Sequence, residues 1–234
     1  TRSNRKLSAV RERLRAVIFL LTENLTSLLR YKHHNKYKRR RNNTMLKDLG
    51  SLPAVFPMPV LMVATYGEDG KIDIMNVAWG GICGMDKIAL NLAPERKTLK
   101  NINAKKAFTV ALADEAHVKE ADFLGTASGN VMADKFERTG LHATKSKNVD
   151  APVIEEFPVT MECRLEEVRD CFGEMRVVGT IVNVLADEKV LDADGKVDAS
   201  KLNALMFDQF RNTYYTVGKE IAKAWRVGAE LMKK

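Results

Sequence analysis

The sequence predicts a mainly β protein, an antiparallel barrel with short helical insertions. First, many short apolar segments follow one another without the regular strand–helix alternation of a parallel sheet. Second, residues 159–166 alternate between apolar and polar side chains without a break, which indicates a strand with one buried face. Third, the β-branched run 175–186 is interrupted by Gly179, which indicates a bulge or a barrel corner.

The other elements can be assigned in chain order. Residues 60–66 predict a continuous apolar strand, and the turn 67–70 joins it as a hairpin to a strand over 72–79. We further predict strands over 87–92 and 108–112, helices over 96–104, 114–123, 131–139 and 202–210, a rigid connector over 150–158, and a turn over 192–195. No repeat or linker divides residues 45–234, which are therefore predicted to form one domain.

Charge separates the first 44 residues from the rest. They contain 13 of the 38 Lys and Arg residues and two of the 30 acids, a net charge of +11, whereas the other 190 residues carry −3. Seven apolar residues at helical spacing predict an amphipathic helix in this basic N-terminal extension, and its basic cluster 36–41 could contact phosphates or an anionic membrane surface. Because the first methionine is Met45, we expect residues 1–44 to lie upstream of the true start, outside the fold.

Several function classes find no support in the residues. Three cysteines without a CxxC pair and four scattered histidines predict neither a metal site nor a disulfide framework. No apolar run approaches the roughly 18 residues that span a bilayer, so we expect a cytoplasmic protein that makes no membrane contact. Because the basic charge is confined to the extension, nucleic-acid binding is a remote alternative.

A glycine-rich stretch, residues 74–84, is the centre of the functional prediction. Three glycines within five positions accompany Trp79 and Cys83. Such glycine density means that the backbone bends or that something approaches it closely. Two interpretations remain open: a strand that ends in a turn with Trp79 in the core, or an aromatic face and backbone amides that bind a flat, polar-edged ligand.

Two further stretches carry groups suited to phosphate. Residues 91–98 leave a strand and open a helix with Arg96, Lys97 and Thr98, where cations, a hydroxyl and the helix dipole favour an anion. Residues 122–129 place hydroxyls between glycines, and Lys135 follows about two helical turns later. Each stretch alone could equally be a capped turn or helix start.

Taken in order, these stretches resemble the flavin-reductase-like, FMN-binding split-barrel family, and within it the flavoredoxin group. The resemblance covers residues 45–234, and residues 1–44 have no counterpart in it. Its matching segments lie at residues 57–66, 76–83, 95–98, 125–129, 134–136, 149–152, 157–158, 161–163 and 214–215.

The resemblance implies a six-stranded Greek-key split barrel, a homodimer and one FMN per subunit. Transferred residue by residue, it assigns contacts with the isoalloxazine ring to Asn76, Val77, Ala78 and Trp79, with Cys83 near the flavin. It assigns the phosphate and ribityl chain to Arg96, Lys97, Thr98 and Ser128, with Lys135 as a further contact.

The implied function is that of an FMN-dependent oxidoreductase that takes electrons from NAD(P)H or a redox protein and passes them to an acceptor. No catalytic residue is predicted, because a flavin carries the redox chemistry itself. No GxGxxG turn follows a strand, so a nicotinamide cofactor would dock on the flavin rather than in a Rossmann domain. An alternative is an electron carrier that holds FMN without turning over NAD(P)H.

Overall fold

A computed structural model describes residues 46–232 of the chain. The basic extension, its predicted amphipathic helix and its basic cluster lie outside the described residues. Residues 46–52 are exposed and contain no helix or strand, and the compact fold begins at Pro53. Within residues 46–232, no helix is long and apolar enough to cross a membrane.

Twelve strands and three α-helices make up the described fold. The strands are β1 (Met58–Pro59), β2 (Leu61–Tyr66), β3 (Ile72–Val77), β4 (Gly80–Gly84), β5 (Lys87–Leu92), β6 (Ala107–Leu112), β7 (Ala143–Lys145), β8 (Pro152–Ile154), β9 (Val159–Cys171), β10 (Glu174–Ala186), β11 (Leu205–Asp208) and β12 (Thr213–Thr216). The helices are α1 (Lys97–Lys105), α2 (Val118–Thr126) and α3 (Ala199–Leu202).

One curled antiparallel sheet dominates the molecule and confirms the predicted split-barrel class. Its seven strands run in the order β3-β2-β6-β9-β10-β5-β4, one more than the six that the resemblance implies. Every neighbouring pair is antiparallel. Two smaller sheets, β1-β11-β12 and β7-β8, flank it. Strand β4 lies at one edge of the main sheet, and within residues 46–232 no strand pairs with its outer side.

Strand β2 packs on both of its faces, which explains why its sequence is continuously apolar. Leu61 and Val63 enter one hydrophobic core, whereas Met62 and Ala64 enter a second core on the opposite side of the sheet. Such a strand lacks the apolar–polar alternation of a strand with one wet face. The second core also receives helix α2 through Leu124.

Gly179 marks the bulge that the sequence predicts. The register between β9 and β10 shifts between Val178 and Gly179. A Cβ atom at this glycine would lie 2.4 Å from the Phe108 ring, so only a glycine fits against the buried aromatic side chain.

Two local predictions were wrong. Residues 131–139 form turns and a short 3-10 segment rather than a helix, because Lys135 enters a polar pocket while Phe136 enters the core. Residues 202–210 contain strand β11, since its apolar run is fixed by pairing with β1 and β12 rather than by helical propensity. The strand predicted over 72–79 is confirmed as β3, which ends at Val77, and the connector 150–158 includes the short strand β8.

Candidate functional site

Five of the residues predicted to hold a phosphate and its ribityl chain converge on one small pocket. It lies between the start of helix α1 and the loop after helix α2, and its volume is about 10 Å³. We call it the basic pocket, and it is lined by Asp73, Met75, Arg96, Lys97, Thr98, Gly125, Ala127, Ser128, Gly129 and Lys135. The fold thus brings together groups from three separate segments of the chain.

Asp73, which the sequence analysis did not select, organises the basic pocket from strand β3. It is 1% exposed. Its carboxylate accepts a hydrogen bond from the Thr98 hydroxyl at 2.6 Å and lies 3.4 Å from the Lys135 ammonium. A buried carboxylate needs such partners, because otherwise its loss of hydration is not compensated. Thr98 and Lys135 are therefore held in place by Asp73.

The Lys135 ammonium is buried close to two other cations, Arg96 and Lys97. It is 3% exposed, and its ammonium also donates to the Ala127 carbonyl at 3.3 Å. Burial lowers the pKa of Lys135; Asp73 opposes this effect, whereas Lys97 and Arg96 lower the pKa further. Three cations therefore face one carboxylate, and the surplus of positive charge favours an anion.

The first turn of helix α1 adds backbone donors to these charges. Arg96 is the N-cap residue, its side chain makes no capping hydrogen bond, and the first turn contains no acid. The amides at this end have no intrahelical partners and lie at the positive end of the helix dipole. Combined with the side-chain cations of the basic pocket, they form a suitable site for a phosphate group.

A close backbone approach closes the basic pocket on its other side. A Cβ atom at Gly129 would lie 2.2 Å from Asp73 Oδ1 and 3.2 Å from Lys97 Cδ. The loop after helix α2 can therefore approach these groups only because this position has no side chain.

A second cavity adjoins the basic pocket and extends it toward the glycine-rich stretch. This Tyr214 cavity, of about 160 Å³, is lined by Asn76, Asp122 and Tyr214 and shares Gly125 with the basic pocket. The Asn76 amide donates to the Ala121 carbonyl at 3.0 Å, which fixes this side chain against helix α2.

Tyr214 ties strand β12 to helix α2 across this cavity. Its hydroxyl donates to Asp122 at 2.9 Å. Burial, followed by the neighbouring Asp122 carboxylate, raises the pKa of Tyr214 to about 12. The phenol therefore remains protonated at neutral pH and acts as a hydrogen-bond donor.

The glycine-rich stretch lines a third and larger opening, the Trp79 cleft, of about 370 Å³. Its lining includes Pro57, Pro59, Ala78–Cys83, Asn91 and Arg176, and it shares Ala78 with the Tyr214 cavity. Trp79 is 48% exposed, which excludes the interpretation that places it in the core. The basic pocket, the Tyr214 cavity and the Trp79 cleft thus adjoin one another through Gly125 and Ala78.

The remaining predicted residues differ in what they can offer a ligand. Val77 is buried in a hydrophobic core, so only its backbone is available. Cys83 is exposed on β4 within the Trp79 cleft. Cys163, by contrast, is buried, and burial raises its pKa to about 12, which makes its thiol unreactive.

Two polar residues of the Trp79 cleft, like Asp73, were not predicted from the sequence. Asn91 and Arg176 lie on β5 and β10, directly opposite each other. Strand alternation places both on the face away from the barrel core. The sequence did not reveal their proximity, since β5 and β10 are far apart in the chain and their register is a tertiary property.

Comparison with known proteins assigns this fold to a family. Residues 53–212 match the family model described as "Flavin reductase like domain". The solved structure of flavoredoxin of Desulfovibrio vulgaris (Miyazaki F) is 35% identical, superposes with a TM-score of 0.75 and covers 79% of this chain and 100% of its own.

Two more distant relatives agree in fold or sequence. Flavoredoxin from Methanosarcina acetivorans shares the fold at 24% identity with a TM-score of 0.70, covering 83% of this chain and 99% of its own. The uncharacterised protein YwrF of Bacillus subtilis is 27% identical over 154 residues, 60% of this chain and 74% of its own. The chain described here therefore belongs to the flavin reductase like domain family.

Proposed function

We propose that the protein is an FMN-binding oxidoreductase that moves electrons from NAD(P)H or a redox protein to an acceptor. The observation that carries this proposal is the convergence of Arg96, Lys97, Ser128 and Lys135 at the uncapped start of helix α1. These cations and free amides suit a phosphate monoester, and an open cleft with an exposed tryptophan lies along the same surface.

The residues present fit FMN in charge and in the hydrogen-bonding groups they offer. Arg96, Lys97, Ser128 and the first amides of α1 would hold the phosphate, because Thr98 and Lys135 are already engaged by Asp73. FMN, when bound, supplies the redox chemistry. The protein would bind and orient it, and Trp79, Pro57 and Pro59 would offer it an apolar wall in the Trp79 cleft.

We also propose that the protein is a homodimer. Strand β4 is a sheet edge; Ile82 on this strand and Met85 in the turn that follows it are 67% and 104% exposed. Exposed apolar side chains on an unpaired edge favour association and are costly in a monomer. A mass measurement on the purified chain tests this: two chains per particle support the proposal, and a monomer at all concentrations contradicts it.

Anaerobic titration of the FMN-loaded full chain with NADH and NADPH tests the function. The proposal predicts one FMN per chain, with flavin absorption bands that bleach when NADH, NADPH or both are added. Bands that persist until dithionite is added would instead support an electron carrier without NAD(P)H turnover. A protein that takes up no FMN would overturn the proposal.

A further inference from the structure

The residue before β4 and two neighbouring strands, β5 and β10, bring a half-exposed ring, an amide and a guanidinium to the Trp79 cleft. The Asn91 backbone N–H donates to the Trp79 carbonyl at 2.9 Å, which joins β5 to the start of β4. On the other side of β5, Asn91 lies opposite Arg176 in the pairing with β10. All three residues line the same cleft.

Arg176 has no carboxylate partner within salt-bridge distance among residues 46–232, and its guanidinium makes no hydrogen bond to any of them. In the pairing of β10 with β9, Arg176 lies directly opposite Arg169, which also carries a guanidinium group. Arg169 is paired with Glu167 at 3.8 Å, so its charge is partly compensated. Opposed like charges destabilise a strand pair. Arg176 thus retains all its donors for a group that enters the cleft.

In the part of the chain that the structure describes, the side-chain oxygen of Asn91 lacks a hydrogen-bond donor, whereas the Arg176 guanidinium lacks an acceptor. Its Oδ1 atom is buried and has no hydrogen-bond partner among the described residues. An unsatisfied buried amide oxygen costs free energy, so the protein gains nothing from this group unless a donor meets it. The terminal torsion of asparagine is broad, so the amide can turn to present either its oxygen or its nitrogen to the cleft.

We propose that Arg176 and Asn91 recognise a planar heterocycle that presents a carbonyl oxygen beside an N–H group. Arg176 would donate to the carbonyl oxygen, Asn91 Oδ1 would accept from the N–H, and the heterocycle would lie against Trp79. The heterocycle would thus supply an acceptor to Arg176 and a donor to Asn91 Oδ1. The cleft has the volume of a small-molecule site. This inference rests on the proposed function, because it deepens the description of the same site.

Two ligands of a flavin oxidoreductase carry this chemistry. One is the pyrimidine edge of the flavin ring, with adjacent carbonyl and N–H groups. The other is the carboxamide of a nicotinamide cofactor, which offers the same pair. Direct binding measurements on variants distinguish the two sources.

Three variants distinguish an effect on ligand binding from an effect on the stability of the fold. Arg176→Gln removes the unpaired guanidinium, and Arg169→Gln is its matched control, because it removes the same charge from the neighbouring strand outside the cleft lining. Asn91→Leu removes the unsatisfied amide. If Asn91 serves a ligand rather than the fold, this variant retains or raises the thermal melting temperature while binding weakens.

The first binding arm uses FMN and its 3-methyl analogue, which lacks the ring N–H. If the flavin edge is the ligand, Arg176→Gln and Asn91→Leu weaken FMN binding roughly 10- to 100-fold, and the wild type discriminates against the analogue. The midpoint potential of bound FMN also falls in Arg176→Gln, since a nearby cation favours the more negative reduced form. Arg169→Gln leaves these quantities within about twofold of wild type.

The second arm measures NADH binding to the FMN-loaded protein. If the carboxamide is the ligand, FMN binding and potential are unchanged, whereas both cleft variants lose about tenfold or more in NADH affinity. The inference is overturned if wild type binds FMN at one per chain while neither cleft variant changes either affinity more than Arg169→Gln does. A wild type that binds no FMN overturns the proposed function as well, so the two failures are distinguishable.

Discussion

The basic pocket and the Trp79 cleft lie along one surface but are built in opposite ways. In the basic pocket, Asp73, Thr98 and Lys135 are almost fully buried, and the Asp73 carboxylate pairs with both of the other two. In the Trp79 cleft, the ring is half exposed, and neither Arg176 nor the Asn91 oxygen has a partner among the described residues. Among residues 46–232, the buried side chains of the first region are paired within the protein, whereas those of the second are not.

This difference separates stability from recognition. A preformed pocket presents its charges with little reorganisation when an anion binds, since its side chains are already fixed. Its residues therefore matter for folding as well as for binding. The open cleft contributes little to folding, so changes there are expected to act on the ligand alone. Substitutions in the two regions test this division.

The largest expected effect comes from Asp73→Ala. This change leaves the Lys135 ammonium buried without a counter-charge, and breaking such a pair costs about 3–5 kcal/mol of unfolding free energy. Chemical denaturation measures it, with Asp150→Ala as the surface control. Asp150 pairs with Lys105 and Lys145 at an exposed site and should cost no more than about 1 kcal/mol. Equal losses in the two variants would contradict the preformed pocket.

Gly129→Ala tests the close approach of the loop to Asp73. The added methyl would lie within 2.2 Å of the Asp73 carboxylate, which is held on its other sides by Thr98 and Lys135. We expect a loss of about 1–3 kcal/mol in unfolding free energy, together with weaker FMN binding. Gly218→Ala is the control, because a methyl there meets nothing within 4 Å. A stable, fully binding Gly129→Ala would refute the proposed geometry.

Trp79→Leu tests whether the Trp79 cleft contributes to ligand binding rather than to folding. Loss of the ring face should weaken FMN binding by about 1 kcal/mol while unfolding free energy changes by roughly 0.5 kcal/mol or less. Trp225→Leu, at a site 97% exposed in the C-terminal segment, serves as the matched control for binding. If Trp79→Leu lowered stability as much as Asp73→Ala, the division between the two regions would fail.

The smallest expected effect is a pH dependence of FMN affinity. The pKa of Lys135 is lowered, so its ammonium loses its proton below the usual value of 10.5. As pH rises through that lowered pKa, the basic pocket loses a positive charge while Asp73 stays negative, and FMN binding weakens. Lys135→Arg keeps its charge at these pH values and should show a flatter profile in fluorescence titrations. Identical profiles would show that Lys135 does not set the pocket charge.

The sheet was largely predictable from local patterns. Alternation identified β5 and β9, the continuous apolar run identified β2, and Gly179 marked the bulge. The errors came where tertiary contacts decide conformation: β11 is a strand because β1 and β12 pair with it, although its short apolar run also suits a helix.

The candidate site was predictable to the extent that its residues form contiguous motifs. Arg96, Lys97 and Thr98 follow one another at a helix start, whereas Asp73 carries no motif and is recognised only by burial beside Lys135. Arg176 becomes a candidate only through the register that places it opposite Asn91. Groups joined by strand pairing cannot be found from spacing along the chain.

The most direct test of this account is calorimetric titration of the full chain with FMN and with riboflavin, which lacks the phosphate. If the basic pocket holds a phosphate through several charge-assisted contacts, FMN should bind at one per chain and at least roughly 100-fold more tightly than riboflavin. Equal affinities for the two flavins would show that the basic pocket does not bind the phosphate and would contradict the account.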